Sequence, residues 1–256
     1  MGRTALVTGA SSGIGRTFCS ILASRGWDLV IVARRVDELR AVATDAAYHG
    51  VHAEVHAADL SAPEDITGLE TRIEARDIDL FVNNAGVGSF GPFTTSAGEH
   101  NDAIIAVNVR AYARLLRLVA RSMVGRGRGR ILNVVSVAGF QPGPLMSVYY
   151  ASKAYELSLS QAVAEEVASA GVTVTALCPG PTRSPFHERA GMRIGDAAAR
   201  AMPEAREVAE FGLRALERGR RVAVFGTGFR LMIFAQRVLP RSLVTHAVAA
   251  MQRRRM

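Results

Sequence analysis

At 256 residues, 49% of them apolar, the chain is long enough to bury a full core and too apolar to stay unfolded. Its net charge of +8 is local: Glu217 is the last acidic residue, and Arg218, Arg220, Arg221, Arg230, Arg237, Arg241, Arg253, Arg254 and Arg255 follow it. That placement lacks the basic, aromatic-studded face of a nucleic-acid binder, and no nucleic-acid partner is expected.

The opening MGRTALVTGA enters a strand directly, without the charged and long apolar regions of a secretory signal. Cys19 and Cys178 fit no C-x-x-C or zinc spacing, so two buried, reduced thiols in a cytoplasmic protein without a metal are expected. The first strand, 3–8, ends in Thr8-Gly-Ala-Ser-Ser-Gly-Ile-Gly15, and a helix follows at 13–25. Strand, glycine turn and helix start are the context of a dinucleotide loop. Gly9 permits the turn, Gly13 lets backbone approach a pyrophosphate, and Gly15 allows close helix–strand packing. Ser11, Ser12 and the first-turn amides, from Ile14 onward, supply donors. A Walker A loop is excluded, because it needs a lysine that this loop lacks.

The second strand, 28–33, exits into Arg34-Arg35 and a helix at 36–48. A binder of unphosphorylated ribose places a carboxylate there; guanidinium groups match a 2′-phosphate with paired donors. This favours NADP(H) over NAD(H), with Arg16 a further candidate. Strand 51–57 alternates, putting His52, Glu54 and His56 on one face. The two histidines would stand about 13 Å apart, so an edge strand with a polar face is expected rather than a metal site. A helix at 63–76, a strand at 79–83, a helix at 99–125 and a strand at 130–135 follow. Next come a helix at 148–170, a strand at 172–178, a helix at 203–218 and a strand at 221–225. Alternating apolar strands and helices imply parallel strands with helices on both faces. The expected fold is α/β: one doubly wound Rossmann domain over 1–256, with a seven-stranded, mostly parallel sheet.

The helix at 148–170 carries the only lysine, Lys153, four residues after Tyr149 and therefore on the same face. Tyr150 is a competitor for that pairing. An ammonium group beside a phenol stabilises the phenolate, and a drop of about 3 pKa units corresponds to about 4 kcal/mol. Lysine presents a compact three-donor head where arginine presents a wide fork.

TGASSGIG, NNAG at 83–86, Ser136 in NVVSVAG, Tyr149-x-x-x-Lys153 and the PG at 179–180 together resemble the short-chain dehydrogenase/reductase family, in its shorter branch. The match runs from residue 3 to about 182. The resemblance implies roles. Tyr149 is then the general acid or base, Lys153 tunes it and holds the nicotinamide ribose, and Ser136 steadies the substrate oxyanion. Asn108 anchors a relay water, Asp59 contacts adenine, and Asn83, Ala85 and Gly86 flank the adenosine ribose. Pro179, Gly180 and Thr182 face the nicotinamide side. The family's Pro-Gly-x-Val-x-Thr pattern is altered here, with Thr182 at the valine and Ser184 at the last position.

Residues 184–202 are expected to form a substrate lid, with Phe186, Met192 and Ile194 pointing to an apolar substrate. Gln141, Pro142, Leu145 and Met146 border the same pocket. From about 227 to 256 the tail places Arg230, Arg237 and Arg241 along one helical stripe. Such a basic amphipathic tail suits an anionic membrane surface, another subunit or the body of the domain. The main reading is an NADP(H)-dependent reductase or dehydrogenase of a small hydrophobic carbonyl or alcohol; the alternative is a non-catalytic NADP(H)-sensing protein on the same fold. The resemblance and the two long helices suggest a homodimer or homotetramer.

Overall fold

A computed structural model describes residues 2–253; Arg254, Arg255 and the extreme ends of the expected domain lie outside the described residues. Its strands are β1 (Arg3–Thr8), β2 (Trp27–Ala33), β3 (Ala53–Ala57), β4 (Leu80–Asn83), β5 (Gly129–Val134), β6 (Val172–Cys178) and β7 (Val222–Val224). They form one sheet in the order β3-β2-β1-β4-β5-β6-β7. All its pairings are parallel, where a mostly parallel sheet was expected.

The helices are α1 (Gly13–Ser24), α2 (Val36–Ala47), α3 (Pro63–Glu74), α4 (Gly98–Ile104), α5 (Tyr112–Gly125) and α6 (Ser147–Glu166). They continue with α7 (Phe186–Arg189), α8 (Asp196–Arg200), α9 (Ala205–Glu217), α10 (Thr227–Ala235) and α11 (Arg241–Arg253). Strand alternation divides the core into two layers. Ala5 and Val7 of β1 and Leu29 and Ile31 of β2 pack with Phe18 of α1, Leu39 of α2 and Leu213 of α9. Leu6, Val30 and Val32 point the other way, toward Ile66 of α3 and Leu115 of α5. Each fully buried leucine or phenylalanine contributes about 1.5–3 kcal/mol relative to exposure.

The expected helix at 99–125 is interrupted. A π-helical turn, Ile105–Ala111, separates α4 from α5 and holds Asn108 fully buried. Such turns are often placed where a side chain must be aimed. On the edge strand β3, His56 is buried while Glu54 stays partly exposed. His56 Nε2 meets Glu54 Oε1 at 2.7 Å, Arg72 reaches His56 Nδ1 at 2.9 Å, and Arg76 pairs with Glu54. Burial holds the His56 imidazole below its ordinary pKa, against the opposing pull of Glu54. Among the described residues, no group of three or more His, Cys, Asp or Glu side chains is placed to hold a metal ion.

The tail departs from a single basic stripe. A turn ending at Pro240 separates α10 from α11, so Arg237 and Arg241 do not share one helix. Arg230 turns back to the Val224 carbonyl at 2.9 Å and lies over the Phe211 ring. Ile233, Val248 and Gln252 are buried against the domain. No described helix is long and apolar enough to cross a membrane.

The chain leaves β1 toward β2 and β3, then returns to the other side of β1 at β4. At that reversal the loops diverge and open a crevice at the strands' carboxyl ends.

Candidate active site

The crevice has a volume of about 690 Å³ and runs from Arg34 and Asp59 at one end to Tyr149 and Met192 at the other. Its floor begins with the glycine loop. Gly9 has φ +67°, and a Cβ there would lie 2.7 Å from Asn84 Nδ2. A Cβ on Gly15 would collide with the Gly9 carbonyl, so both positions demand glycine. The loop is pinned to the segment after β4: Asn84 and Ala85 donate backbone N–H groups to Thr8 Oγ1, each at 3.0 Å, and Asn84 Nδ2 donates to the Thr8 carbonyl at 2.9 Å. Ser12 does not cap α1 through its side chain, which leaves first-turn amides to an anion.

Ser11, Ser12, Gly13, Ile14, Ala85 and Gly86 all line the crevice. Asn83 does not. Its side chain is buried beneath the floor and donates to the Tyr112 carbonyl at 3.3 Å, while its neighbour Asn84 lines the crevice. Arg35 donates to Ser11 Oγ at 3.0 Å, and Arg34 approaches Asp59 at 3.8 Å. Burial alone would raise the Asp59 pKa; the Ser61 amide and hydroxyl, aided by Arg34, hold it below the usual value. Arg16 is turned away, toward Asp45 at 3.3 Å and Glu38 at 3.7 Å on α2.

At the other end, β5 delivers Ser136, whose Oγ accepts from the Ala138 N–H at 3.1 Å and faces the Pro179 carbonyl at 3.4 Å. The α6 helix brings Tyr149 and Lys153 to the same crevice, with Lys153 Nζ 5.8 Å from the Tyr149 ring centroid. Lys153 also meets Glu156 on α6, at 2.8 and 3.0 Å, and the Val134 carbonyl at 3.3 Å. The phenol is raised where a lowering was expected. Burial raises the Tyr149 pKa, the Glu156 carboxylate raises it further, and only the Ser136 hydroxyl pulls it back. The lysine's charge is largely answered by its neighbour, so it does not drive the phenol down.

Asn108 is committed to protein partners. Its amide exchanges two 2.9 Å bonds with the Val87 backbone and donates to Ser152 Oγ at 3.0 Å, tying the loop after β4 to α6. A Cβ on Gly86 would sit 3.4 Å from Lys153 Nζ and 3.5 Å from Asn108 Oδ1, so these three groups converge on one point. The Tyr150 hydroxyl accepts from Gln252 Nε2 at 3.1 Å. Thr182, nearly sealed from solvent, donates to the Gly180 carbonyl at 3.0 Å. Ser184, at the altered end of the motif, packs against Gly13. Pro179 and Gly180 line the crevice, and α10 backs them through Phe229.

Of the segment expected as a lid, residues up to Met192 line this end, and 193–202 do not. The Phe186 ring lies 5.3 Å from the Tyr149 ring, Met192 is buried with Tyr149 and Tyr150, and the Ala190 carbonyl accepts from the Phe90 N–H at 2.8 Å. Of the border residues, Met146 lines the crevice, whereas Gln141 contacts Gln236 of the tail. Sequence reasoning missed Asn84, Glu156, Arg189 and Gln252. Only Glu156 carried a signal, standing three residues after Lys153 on a predicted helix.

A family model described as short chain dehydrogenase matches residues 3–193. Nodulation protein G of Rhizobium sp. (strain N33) is 33% identical over 207 residues, 80% of this chain and 83% of that protein. Among solved structures, a short-chain dehydrogenase from Sphingobium yanoikuyae in complex with NADPH is 36% identical, with a TM-score of 0.84 over 91% of this chain and 92% of that one. A bulky-bulky ketone specific alcohol dehydrogenase from Comamonas testosteroni is 31% identical, with a TM-score of 0.80 over 92% of each chain.

Proposed function

Because this chain belongs to the short chain dehydrogenase family, we propose that it is an NADP(H)-dependent oxidoreductase acting on the carbonyl or alcohol group of a small hydrophobic molecule. The observation that carries this reading is one crevice with Ser136, Tyr149 and Lys153 at one end and Arg34 and Arg35 at the other. The residues suit the cofactor. The glycine loop has a cradle that a Cβ at Gly9 or Gly15 would fill, and Arg35 already rests on Ser11 beside it. Ser11, Ser12 and the start of α1 would hold the pyrophosphate, Arg34 and Arg35 the 2′-phosphate, and Lys153 with Thr182 the nicotinamide end. Bound there, the dinucleotide would supply or accept the hydride.

The protein's own part is proton transfer and orientation. Tyr149, held protonated by its raised pKa, stores a proton at Oη for the oxygen of a reduced carbonyl. Ser136 Oγ lies on the same wall and donates to that oxygen as charge develops. Phe186 and Met192 exclude water above Tyr149, which strengthens both interactions. The apolar lid supports a hydrophobic substrate, as does the resemblance to an enzyme specific for bulky ketones.

The same proposal includes a cytoplasmic homodimer or homotetramer that touches anionic membrane through its tail. Exposed Leu231, Phe234 and Val238, beside Arg237 and Arg241, support that contact. The test of the central claim is a screen of ketones and aldehydes, from small to long-chain and steroidal, following NADPH and NADH absorbance. Turnover of none of them with either cofactor would overturn it.

A further inference from the structure

The four-residue helix α7 touches both ends of the crevice. At its first residue, the Phe186 ring lies 5.3 Å from the Tyr149 ring, tilted by 45°, and crowds Gly88, where an added Cβ would lie 2.8 Å from the ring. At its last residue, Arg189 reaches the other way, and its Nη1 donates to Ser12 Oγ at 3.0 Å. Just before the helix, Ser184 and Pro185 lie on Gly13. The lid is therefore seated on the glycine loop as well as on the catalytic tyrosine.

Arg189 joins two other cations there. Arg35 rests on Ser11, the serine next in the loop, and Arg34 stands at the same end of the crevice. Burial lowers the Arg189 pKa, and the charges of Arg35 and then Arg34 lower it further, while Glu188 and Glu38 oppose them. The compensating carboxylates are held loosely: Arg34 to Asp59 spans 3.8 Å and Arg35 to Glu38 spans 3.9 Å, on solvent-exposed side chains where such pairs are weak. Among the described residues, Arg189 donates to a serine and pairs with no carboxylate within 4.0 Å. Two guanidinium groups, Arg35 and Arg189, meet two consecutive serine hydroxyls, and Arg34 stands near enough for its charge to act on Arg189; the three repel one another, and a dianionic phosphate between them relieves that repulsion.

We infer that Arg189 is a third ligand for the 2′-phosphate of the dinucleotide, and that by binding it the lid helix is held in its seat with Phe186 against Tyr149. The inference rests on the NADP(H) reading above. It goes beyond it by placing a cofactor-recognition residue in the substrate lid, so that phosphate recognition and closure over the reacting group are one event.

The test compares 2′,5′-ADP with 5′-AMP by calorimetry on wild type, Arg189→Gln and Arg189→Lys, and follows hydrogen exchange of residues 184–192. Wild type should prefer 2′,5′-ADP, and Arg189→Gln should weaken it about tenfold while leaving 5′-AMP within about twofold. Arg189→Lys should recover part of the loss, because a charge without the fork still attracts phosphate. Exchange of 184–192 should slow on saturation with 2′,5′-ADP in wild type and not in Arg189→Gln. If wild type binds both nucleotides equally, the NADP(H) reading fails and the inference with it. If wild type prefers 2′,5′-ADP and Arg189→Gln keeps both that preference and the slowed exchange, the inference alone is overturned. Equal weakening of both nucleotides would also overturn it, by assigning Arg189 to the phosphate they share.

Discussion

Lys153 Nζ lies 2.8 Å from Glu156 Oε2, one helical turn away, and both side chains are sealed from water. A carboxylate three residues after Lys153 changes the electrostatics around Tyr149. It answers the ammonium charge and adds its own field to the neighbouring phenol.

The first prediction concerns stability and pH. Burial raises the Glu156 pKa from 4.5 to about 7, against the lowering effect of Lys153. The folded protein then binds this proton more tightly than the unfolded chain does. The contribution of Glu156 is fully present below pH 4.5 and is lost as pH rises through about 7. Urea unfolding of wild type and Glu156→Gln at pH 5 and pH 8 should show the wild type losing more stability across that interval. Parallel losses would mean that Glu156 titrates as an ordinary carboxylate.

A second outcome follows at the phenol. Glu156→Gln removes the carboxylate that holds Tyr149 up, so the Tyr149-dependent limb of the pH–rate profile should move to lower pH. An unmoved limb would show that the two groups are not coupled.

Tyr149→Phe should lower kcat by about 10²–10⁴-fold while NADPH affinity stays within a factor of about two. Removing the hydroxyl takes away the transferable proton but leaves the ring against Phe186. Normal turnover in this variant would remove Tyr149 from the chemistry.

Arg35→Ala should raise the KM for NADPH about tenfold and leave that for NADH nearly unchanged, because the proposed role of this guanidinium is to meet the extra phosphate. Equal changes for both cofactors would place Arg35 in loop support through its Ser11 bond.

On the surface, serine at Leu231, Phe234 and Val238 together should abolish flotation with vesicles containing anionic phospholipid, since these three side chains are 65–79% exposed. Flotation equal to wild type would refute the membrane contact. A fall in oligomer size on the same substitutions would also refute it, by assigning the face to a second copy.

Much of this arrangement is legible in the sequence, because it is local. The seven strands fall within two residues of the expected positions, and the glycine loop, Ser136, Tyr149 and Lys153 meet in one crevice. Reading failed where partners come from afar or where charge is answered by a neighbour. Arg16 reads as a phosphate ligand until α2 presents Asp45 and Glu38 to it. Asn83 and Asn84 are adjacent, and only the pleat of β4 decides which of them faces the crevice. The hydrophobic pattern continues through 99–125, so the π turn around Asn108 leaves no trace in it. Arg189 and Gln252 lie 177 and 102 residues from the groups they touch, a separation no local pattern spans.

Gln252, from the last helix of the chain, is wholly buried with its amide on the Tyr150 hydroxyl. One wall of the crevice is thus finished by α11. Proteolytic trimming behind Ile233 would spare every group that moves a proton, yet it would strip one side from the mouth. The proposed proton transfer would survive in the trimmed protein, while the range of molecules admitted would change.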